Sequence, residues 1–327
     1  MELMLKFHVI GCGSIGQRHI KNLLLLKHDV TIYDTNTTLV NKISKKYNLI
    51  IEKKIHENTN CVMICTPPSS HMSIAKIAMK KNIHIFIEKP LSNSVDDLSH
   101  FHDLRRSSKS KIFVGYVFRF DKGLQKIKKM LLSDKIGKIL SFDAYEGYYL
   151  PLWRPWQNYK KSYTSSKKLG GGIILDGSHE LNYLLWLGGN VKEIFSYYTK
   201  ISSLKVHTEG LAEILLKFNS GAIGRIHLDF INPKYTRRCE IIGDKSSVRW
   251  DFSTKTIEIQ KSGKKNFSKI SYGDDNNKMY IDELKYVISC ISGKTRNNLI
   301  SVKDAQLTLL ISSAIHKSGK IGCPISF

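Results

Sequence analysis

The run Leu5-Lys6-Phe7-His8-Val9-Ile10 passes directly into Gly11-Cys12-Gly13-Ser14-Ile15-Gly16, and Gln17 to Lys27 then reads as a helix. Strand, glycine turn and helix is the context in which G-x-G-x-x-G binds a dinucleotide. Gly11 permits the turn, Gly13 lets the backbone approach a pyrophosphate, and Gly16 lets the helix pack on the strand. Ser14 and Ile15 stand at the helix start, where unpaired N–H groups would meet the phosphates. A second strand, Val30 to Tyr33, ends in Asp34, 18 residues beyond Gly16. That is close to the spacing of the acid that binds the adenine ribose. Thr35, Asn36, Thr37 and Thr38 follow Asp34. No cation is on hand to compensate a 2′-phosphate, so NAD is favoured over NADP.

Outward from this stretch, strand and helix alternate. Leu39 to Tyr47 reads as a helix, and Cys61 to Cys65 as a strand that closes in Thr66-Pro67-Pro68-Ser69-Ser70-His71. Met72 to Lys81 is a predicted helix, Ile83 to Ile87 a strand, Ser94 to Arg106 a helix with Ser94 as N-cap, and Ile112 to Tyr116 a strand. The pattern predicts an α/β domain over residues 1–120 with a doubly wound parallel sheet. Ligands of such sheets sit outside the carboxyl ends of the strands. Thr66 and Pro67 fall there, with His71 at the following helix start. Glu88 and Lys89 stand at the end of their own strand, and Pro90 holds Lys89 on a stiff backbone. An amine so held can stabilise charge on a substrate oxygen. Taken alone, the tripeptide also reads as a solvated strand end.

After Phe120 the pattern changes. Gly123 to Leu132 is a predicted helix. Strands then predominate: 139–149, 191–200, 211–218, 222–230, 237–242, 247–251 and 256–260. Turn signals such as Asn219-Ser220-Gly221 separate several of them, so residues 121–327 read as an α+β domain with a large open, mainly antiparallel sheet. Helices are predicted over 276–290 and 302–318, with Ser301 and Asp304 at capping-box spacing and Gly319 as the stop. Residues 261–277 read as a loop. The run Gly170-Gly171-Gly172-Ile173-Ile174-Leu175-Asp176-Gly177-Ser178-His179 leads into a helix. Asp176 and His179, three apart, share a helical face. A histidine beside a carboxylate suits general-base chemistry, although Asp176 as a helix cap with a packed His179 fits as well. Upstream, Tyr148-Tyr149-Leu150-Pro151-Leu152-Trp153-Arg154-Pro155-Trp156 interleaves aromatics with an arginine. Such a stretch suits stacking on sugar rings and pairing with a carboxylate or phosphate, or a packed aromatic loop at a contact.

The bulk numbers bound the rest. A chain of 327 residues, 42% apolar, has room for two cored domains. No apolar run is long enough to span a bilayer, and Met1 to Gly13 lacks the pattern of a signal peptide. Six cysteines without a C-x-x-C pair suggest reduced, cytoplasmic thiols. The net charge of +23 is spread along the chain without a basic arm or a nucleic-acid motif, so neither nucleic acid nor membrane is an expected partner. It is compatible with a field that draws in an anionic substrate.

Five stretches together, G-C-G-S-I-G-Q-R-H at 11–19, T-P-P-S-S-H at 66–71, E-K-P at 88–90, G-Y-V-F-R-F at 115–120 and G-G-G-I-I-L-D-G-S-H at 170–179, make the chain similar to the glucose–fructose oxidoreductase, inositol dehydrogenase and rhizopine-catabolism (Gfo/Idh/MocA) oxidoreductases. The resemblance spans essentially the whole chain. It implies a Rossmann domain that binds NAD(P), an open-sheet domain, and a sugar, polyol or nucleotide-sugar substrate between them. It implies Lys89 as the catalytic lysine, His179 as acid/base residue with Asp176 beside it, and a cis Lys89–Pro90 bond. It places Thr66, Pro67, His71 and Glu88 with the glycine turn and Asp34 at the cofactor, and Arg119, Tyr149, Trp153 and Arg154 at the substrate. No metal is implied. Two features depart from the family: Asp176 and His179 are three apart where four is commoner, and Asn182 stands where a further acid is frequent. The 148–159 stretch resembles a branch associated with bacterial surface-glycan sugars. The expected activity is hydride transfer between nicotinamide and a secondary hydroxyl. Redox-neutral elimination or epimerisation, or a non-catalytic NAD-binding sensor, are the alternatives. A homodimer or homotetramer is expected.

Overall fold

The computed structural model describes residues 4–273 and 275–327. The chain divides into two compact units. The first holds the residues up to Val117 together with Asn276–Leu309, and the second holds Phe118–Asp275 and Leu310–Phe327. The sequence suggests one break after residue 120, but the chain crosses between units three times. The physical reason lies in a late helix that completes the first unit.

In the first unit, β1 (Lys6–Ile10), α1 (Ser14–Leu25), β2 (Asp29–Tyr33), α2 (Thr37–Tyr47), β3 (Ile50–Ile51), β4 (Cys61–Ile64), α3 (His71–Lys80), β5 (His84–Glu88), α4 (Asp97–Ser107) and β6 (Ile112–Gly115) follow in order. The strands form a six-stranded sheet in the order β3-β2-β1-β4-β5-β6, parallel throughout. Every residue of β4 and β6 is buried, as are all but the first of β1 and β5. Strands buried on both faces read as unbroken apolar runs, which is why Cys61-Val62-Met63-Ile64 and Ile112-Phe113-Val114 show no alternation. The strand order reverses between β1 and β4, the switch point where open α/β sheets bind ligands. Helix α4 starts at Asp97, not at Ser94, whose hydroxyl donates to Asp96 Oδ2 at 2.9 Å.

The second unit begins with α5 (Lys122–Leu132), β7 (Ile139–Gly147), α6 (Leu150–Trp153), α7 (Ile173–Asp176) and α8 (Ser178–Gly188). There follow β8 (Val191–Thr199), β9 (Leu211–Phe218), β10 (Ile223–Asp229), β11 (Thr236–Gly243), β12 (Ser246–Asp251), β13 (Thr256–Lys261) and β14 (Phe267–Ser271). The chain then returns to the first unit as α9 (Lys278–Ile291). It ends with α10 (Val302–Ile321), which starts in the first unit and finishes in the second, and with β15 (Ile325–Ser326). The second sheet has nine strands in the order β14-β13-β12-β11-β7-β10-β9-β8-β15. All its pairs are antiparallel except β7 with β10. Burial alternates along β9, β10 and β11, so one face is packed and the other open.

Two further expectations change. Residues 261–277 are not simply a loop: β14 pairs with β13, with Ile270 opposite Ile257, and Lys269 beside it marks an edge strand. Asp274 of that stretch lies outside the described residues. Gly319 does not stop α10, which runs on to Ile321. A Cβ at Gly319 would stand 2.6 Å from the Tyr198 ring, so glycine serves close packing there. Gly322, at φ +68°, follows the true end. The Ser301 cap forms as expected, accepting from the Asp304 N–H at 3.2 Å.

Candidate active site

The glycine turn after β1 is shaped by close approach. Gly11 has φ +97°, and a Cβ there would stand 2.6 Å from the Cys65 carbonyl. A Cβ on Gly16 would be 1.9 Å from the Gly11 oxygen. Gly13 is different: it caps α1 with no side-chain bond, and a Cβ there would meet nothing within 4 Å. The N-terminus of α1 thus opens onto free space, as a phosphate cradle requires. At the end of β2, Asp34 Oδ2 accepts the Cys12 N–H at 2.6 Å and Oδ1 accepts the Asn36 N–H at 2.8 Å. The acid therefore also holds the glycine turn in shape. Turn, open helix end and acid fit a dinucleotide without a further cation. Ser14 and Ile15 form the first turn of α1.

Thr66 and Pro67 follow β4. Ser70 Oγ lies 2.7 Å from Thr66 Oγ1 and 3.0 Å from the Pro67 oxygen, which stiffens this loop. His71 lies behind it, fully buried. Its Nδ1 is 2.9 Å from the Pro90 oxygen and its Nε2 2.9 Å from the Thr66 oxygen. Burial pushes its pKa down, against the carbonyls of Thr66 and Pro90. The expected cofactor ligand His71 is thus an internal clamp between the Thr66 loop and the E-K-P turn. Glu88 is also turned inward: Oε1 contacts His19 Nε2 at 2.6 Å, and Oε2 accepts the Lys89 N–H at 3.3 Å. Lys89 itself is half-buried and the Lys89–Pro90 bond is cis.

In the second unit the glycine run is again a matter of space. A Cβ on Gly171 would be 2.2 Å from the Tyr163 oxygen, and one on Gly172, at φ +111°, 2.1 Å from Glu209 Oε1. Gly177 divides α7 from α8, so Asp176 ends one helical segment and His179 lies in the first turn of the next. Asp176 is not a helix cap. Its Oδ2 accepts from Tyr148 at 2.8 Å and its Oδ1 from Tyr163 at 3.0 Å. Burial, reinforced by Asp176, raises both phenols well above the usual range, so they remain donors. His179 is 8% exposed, with the Phe118 ring edge-on at 4.9 Å.

The residues expected at the substrate divide into two groups. Tyr149 and Trp153 are 39% and 40% exposed. Trp153 packs on Tyr148 at 4.4 Å and Tyr235 at 5.3 Å, and Arg154 is half-buried. Arg119, by contrast, is 3% exposed. Its Nε donates to Asn182 Oδ1 at 2.8 Å, and the guanidinium covers Trp186 at 5.1 Å. Arg119 thus braces α8, and Asn182, where the family often has an acid, supplies its acceptor. Sequence reasoning missed Tyr163 and the buried Glu146, Glu180 and Arg237. Only the proximity of Tyr163 to the glycine run could have signalled it.

Among the described residues no group of His, Cys, Asp and Glu could hold a metal ion, and no helix is long and apolar enough to cross a membrane.

A model of the oxidoreductase family with an NAD-binding Rossmann fold matches residues 5–116, and the GFO/IDH/MocA C-terminal domain matches residues 124–249. The myo-inositol 2-dehydrogenase of Thermotoga maritima is 26% identical, over 96% of this chain and 96% of its own. The fold is that of a levoglucosan dehydrogenase solved with NADH (TM-score 0.88, 18% identity, 99% of each chain). It is also that of the WlbA dehydrogenase of Bordetella pertussis solved with NADH and UDP-GlcNAcA (TM-score 0.85, 18% identity, 100% of this chain and 99% of that one).

Proposed function

Because the chain belongs to the Gfo/Idh/MocA oxidoreductases and carries their NAD-binding domain, we propose that it is a dehydrogenase or reductase acting on a secondary hydroxyl of a sugar, polyol or nucleotide-sugar. The observation that carries the substrate class is Tyr148, which donates to Asp176 and packs at a tilt against the half-exposed Trp153. One phenol thereby joins a carboxylate to an aromatic surface, the pairing that suits a polyhydroxylated ring. Residues 148–175 contain Arg154, Lys160, Lys161, Lys167 and Lys168 and no acid. That charge favours a substrate carrying a carboxylate or phosphate, and with it a place in surface-glycan precursor synthesis.

Gly11, Gly13 and Gly16 would hold the backbone close to the pyrophosphate of NAD and Asp34 would take its ribose hydroxyls, and the bound nicotinamide would supply the hydride acceptor or donor. Lys89 donates to the reacting oxygen and stabilises its negative charge. His179 takes or returns the hydroxyl proton. Asp176, held by its two tyrosines, accepts from substrate hydroxyls and orients the sugar. The open face of the nine-stranded sheet exposes Tyr197, Leu215, Ile223 and Ile242, which supports a homodimer or homotetramer. The six cysteines are all free, which supports a cytoplasmic setting.

The test is NADH formation by the purified protein on free sugars, polyols and nucleotide-linked sugar acids, with His179→Ala as control. A signal confined to one class and lost in the variant is expected. Product formation without net NADH would instead establish the redox-neutral course.

A further inference from the structure

A buried ionic cluster in the second unit takes no part in the proton transfer just described. Arg237 on β11 is 6% exposed. Its Nε lies 2.8 Å from Glu180 Oε1, its Nη2 3.3 Å from Glu180 Oε2, and Nη2 also meets Glu146. Arg237 and Glu146 are direct cross-strand partners of β11 and β7, and Glu180 is the residue after His179 on α8. Two carboxyls against one guanidinium leave an excess of negative charge. Burial pushes the Glu180 carboxyl well above its ordinary range despite Arg237. Well-packed apolar side chains would hold the fold as well as a buried ionic cluster does. The cluster supplies fixed direction instead.

That direction leads to His179. The face of the Arg237 guanidinium covers the Phe118 ring at 4.3 Å. Phe118 in turn sets its ring against His179 at 4.9 Å and 70°. Trp250 and Phe252 pack on Phe118 at 5.9 and 4.9 Å, so the ring has no room to drift. Arg237 therefore reaches His179 by two routes, through Glu180 to the helical turn that carries it and through Phe118 to the imidazole itself. We propose that Arg237 is a positioning residue for His179, fixing the imidazole through Phe118 and Glu180. This rests on His179 as the proton-transfer residue of the reading above.

The experiment uses the full chain with 13C-labelled histidine, the His179 resonance being assigned by its loss in His179→Asn. Cross-relaxation between His179 Cε1–H and the Phe118 ring is expected in the unaltered protein. Arg237→Lys keeps the charge and removes the planar fork. With the circular-dichroism spectrum unchanged, the His179 resonance should move, and kcat should fall on the order of 100-fold at constant KM. Arg249→Lys, in an exposed ion pair with Glu240 of the same sheet, is the control and should move neither. If Arg237→Lys does not fold, Glu180→Gln, which keeps Phe118 beside the imidazole and weakens the hold of Arg237, is read in the same way. Missing cross-relaxation, or an unmoved resonance in a folded variant, overturns the proposal. The resonance is read without turnover, so a His179→Asn enzyme that still works would remove the catalytic role and leave the positioning result standing.

Discussion

His19 Nε2 and Glu88 Oε1 stand 2.6 Å apart, joining residues 69 positions apart in the chain. The first belongs to the helix that follows the glycine turn, the second to the strand end that carries Lys89. The contact ties the helix after the glycine turn to the E-K-P turn. The His19 ring also packs on Phe86 at 5.2 Å and Tyr280 at 6.2 Å.

His19→Ala leaves a buried carboxyl oxygen without its partner, a loss of about 1–3 kcal/mol. The thermal midpoint should drop by several degrees, and turnover should fall with it because Glu88 also holds the Lys89 N–H. Calorimetry on both proteins decides; an unmoved midpoint would show that the contact carries no stability.

Lys89→Ala should abolish turnover and leave NADH affinity intact, as read by fluorescence titration. In the proposed mechanism the amine touches the reacting oxygen, and the turn at Gly11–Gly16 and Asp34 hold the cofactor. Retained turnover would take Lys89 out of the chemistry.

Asp34→Ala should weaken NAD binding by about 1–3 kcal/mol, since ribose contacts and the support of the Cys12 and Asn36 N–H groups vanish together. Asp34→Asn, which keeps one acceptor oxygen, should lose less. Equal affinities for all three proteins, measured by titration calorimetry, would mean that the ribose lies elsewhere.

His8 gives a pH signature. Burial, the leading cause, lowers its pKa from 6.5 to about 4. Its Nδ1 pairs with Thr31 Oγ1 at 2.9 Å, and among the described residues no hydrogen-bond partner meets Nε2. The fold binds the neutral ring, so the unfolded chain takes up the proton first and stability falls as pH drops from about 6.5 toward 4. The loss amounts to about 3 kcal/mol across that window. His8→Val should flatten this part of the curve in urea titrations at pH 7 and pH 4.5. A variant with the same slope as the parent would assign the acid sensitivity to other groups.

Local signals were legible and long-range ones were not. The glycine turn, Asp34, the E-K-P strand end and the strand–helix alternation each lie within one short window, and the structure forms the elements they imply. Gly319 misled because the same residue type serves helix stops and close packing, and only Tyr198, 121 positions away, distinguishes them. The helix that carries His179 was legible. Its supports were not, since Arg237 and Glu180 are 57 residues apart and nothing local marks either as buried. His71 stood in a legible motif but pointed the other way, because its partners are backbone carbonyls that every sequence supplies.

The first unit is interrupted between Val117 and Asn276. Asn22 of α1 and Asn277 at the start of α9 exchange amide bonds at 2.8 and 3.2 Å, so α9 is the piece that covers α1. During synthesis the ribosome must add residues 118–275 before that cover exists, a wait on the order of ten to thirty seconds. For that time the part of α1 that meets α9 is uncovered, and a truncated chain that stops near residue 117 leaves it so. A nucleotide half made by cutting at the first boundary would therefore lack the helix that pairs with Asn22.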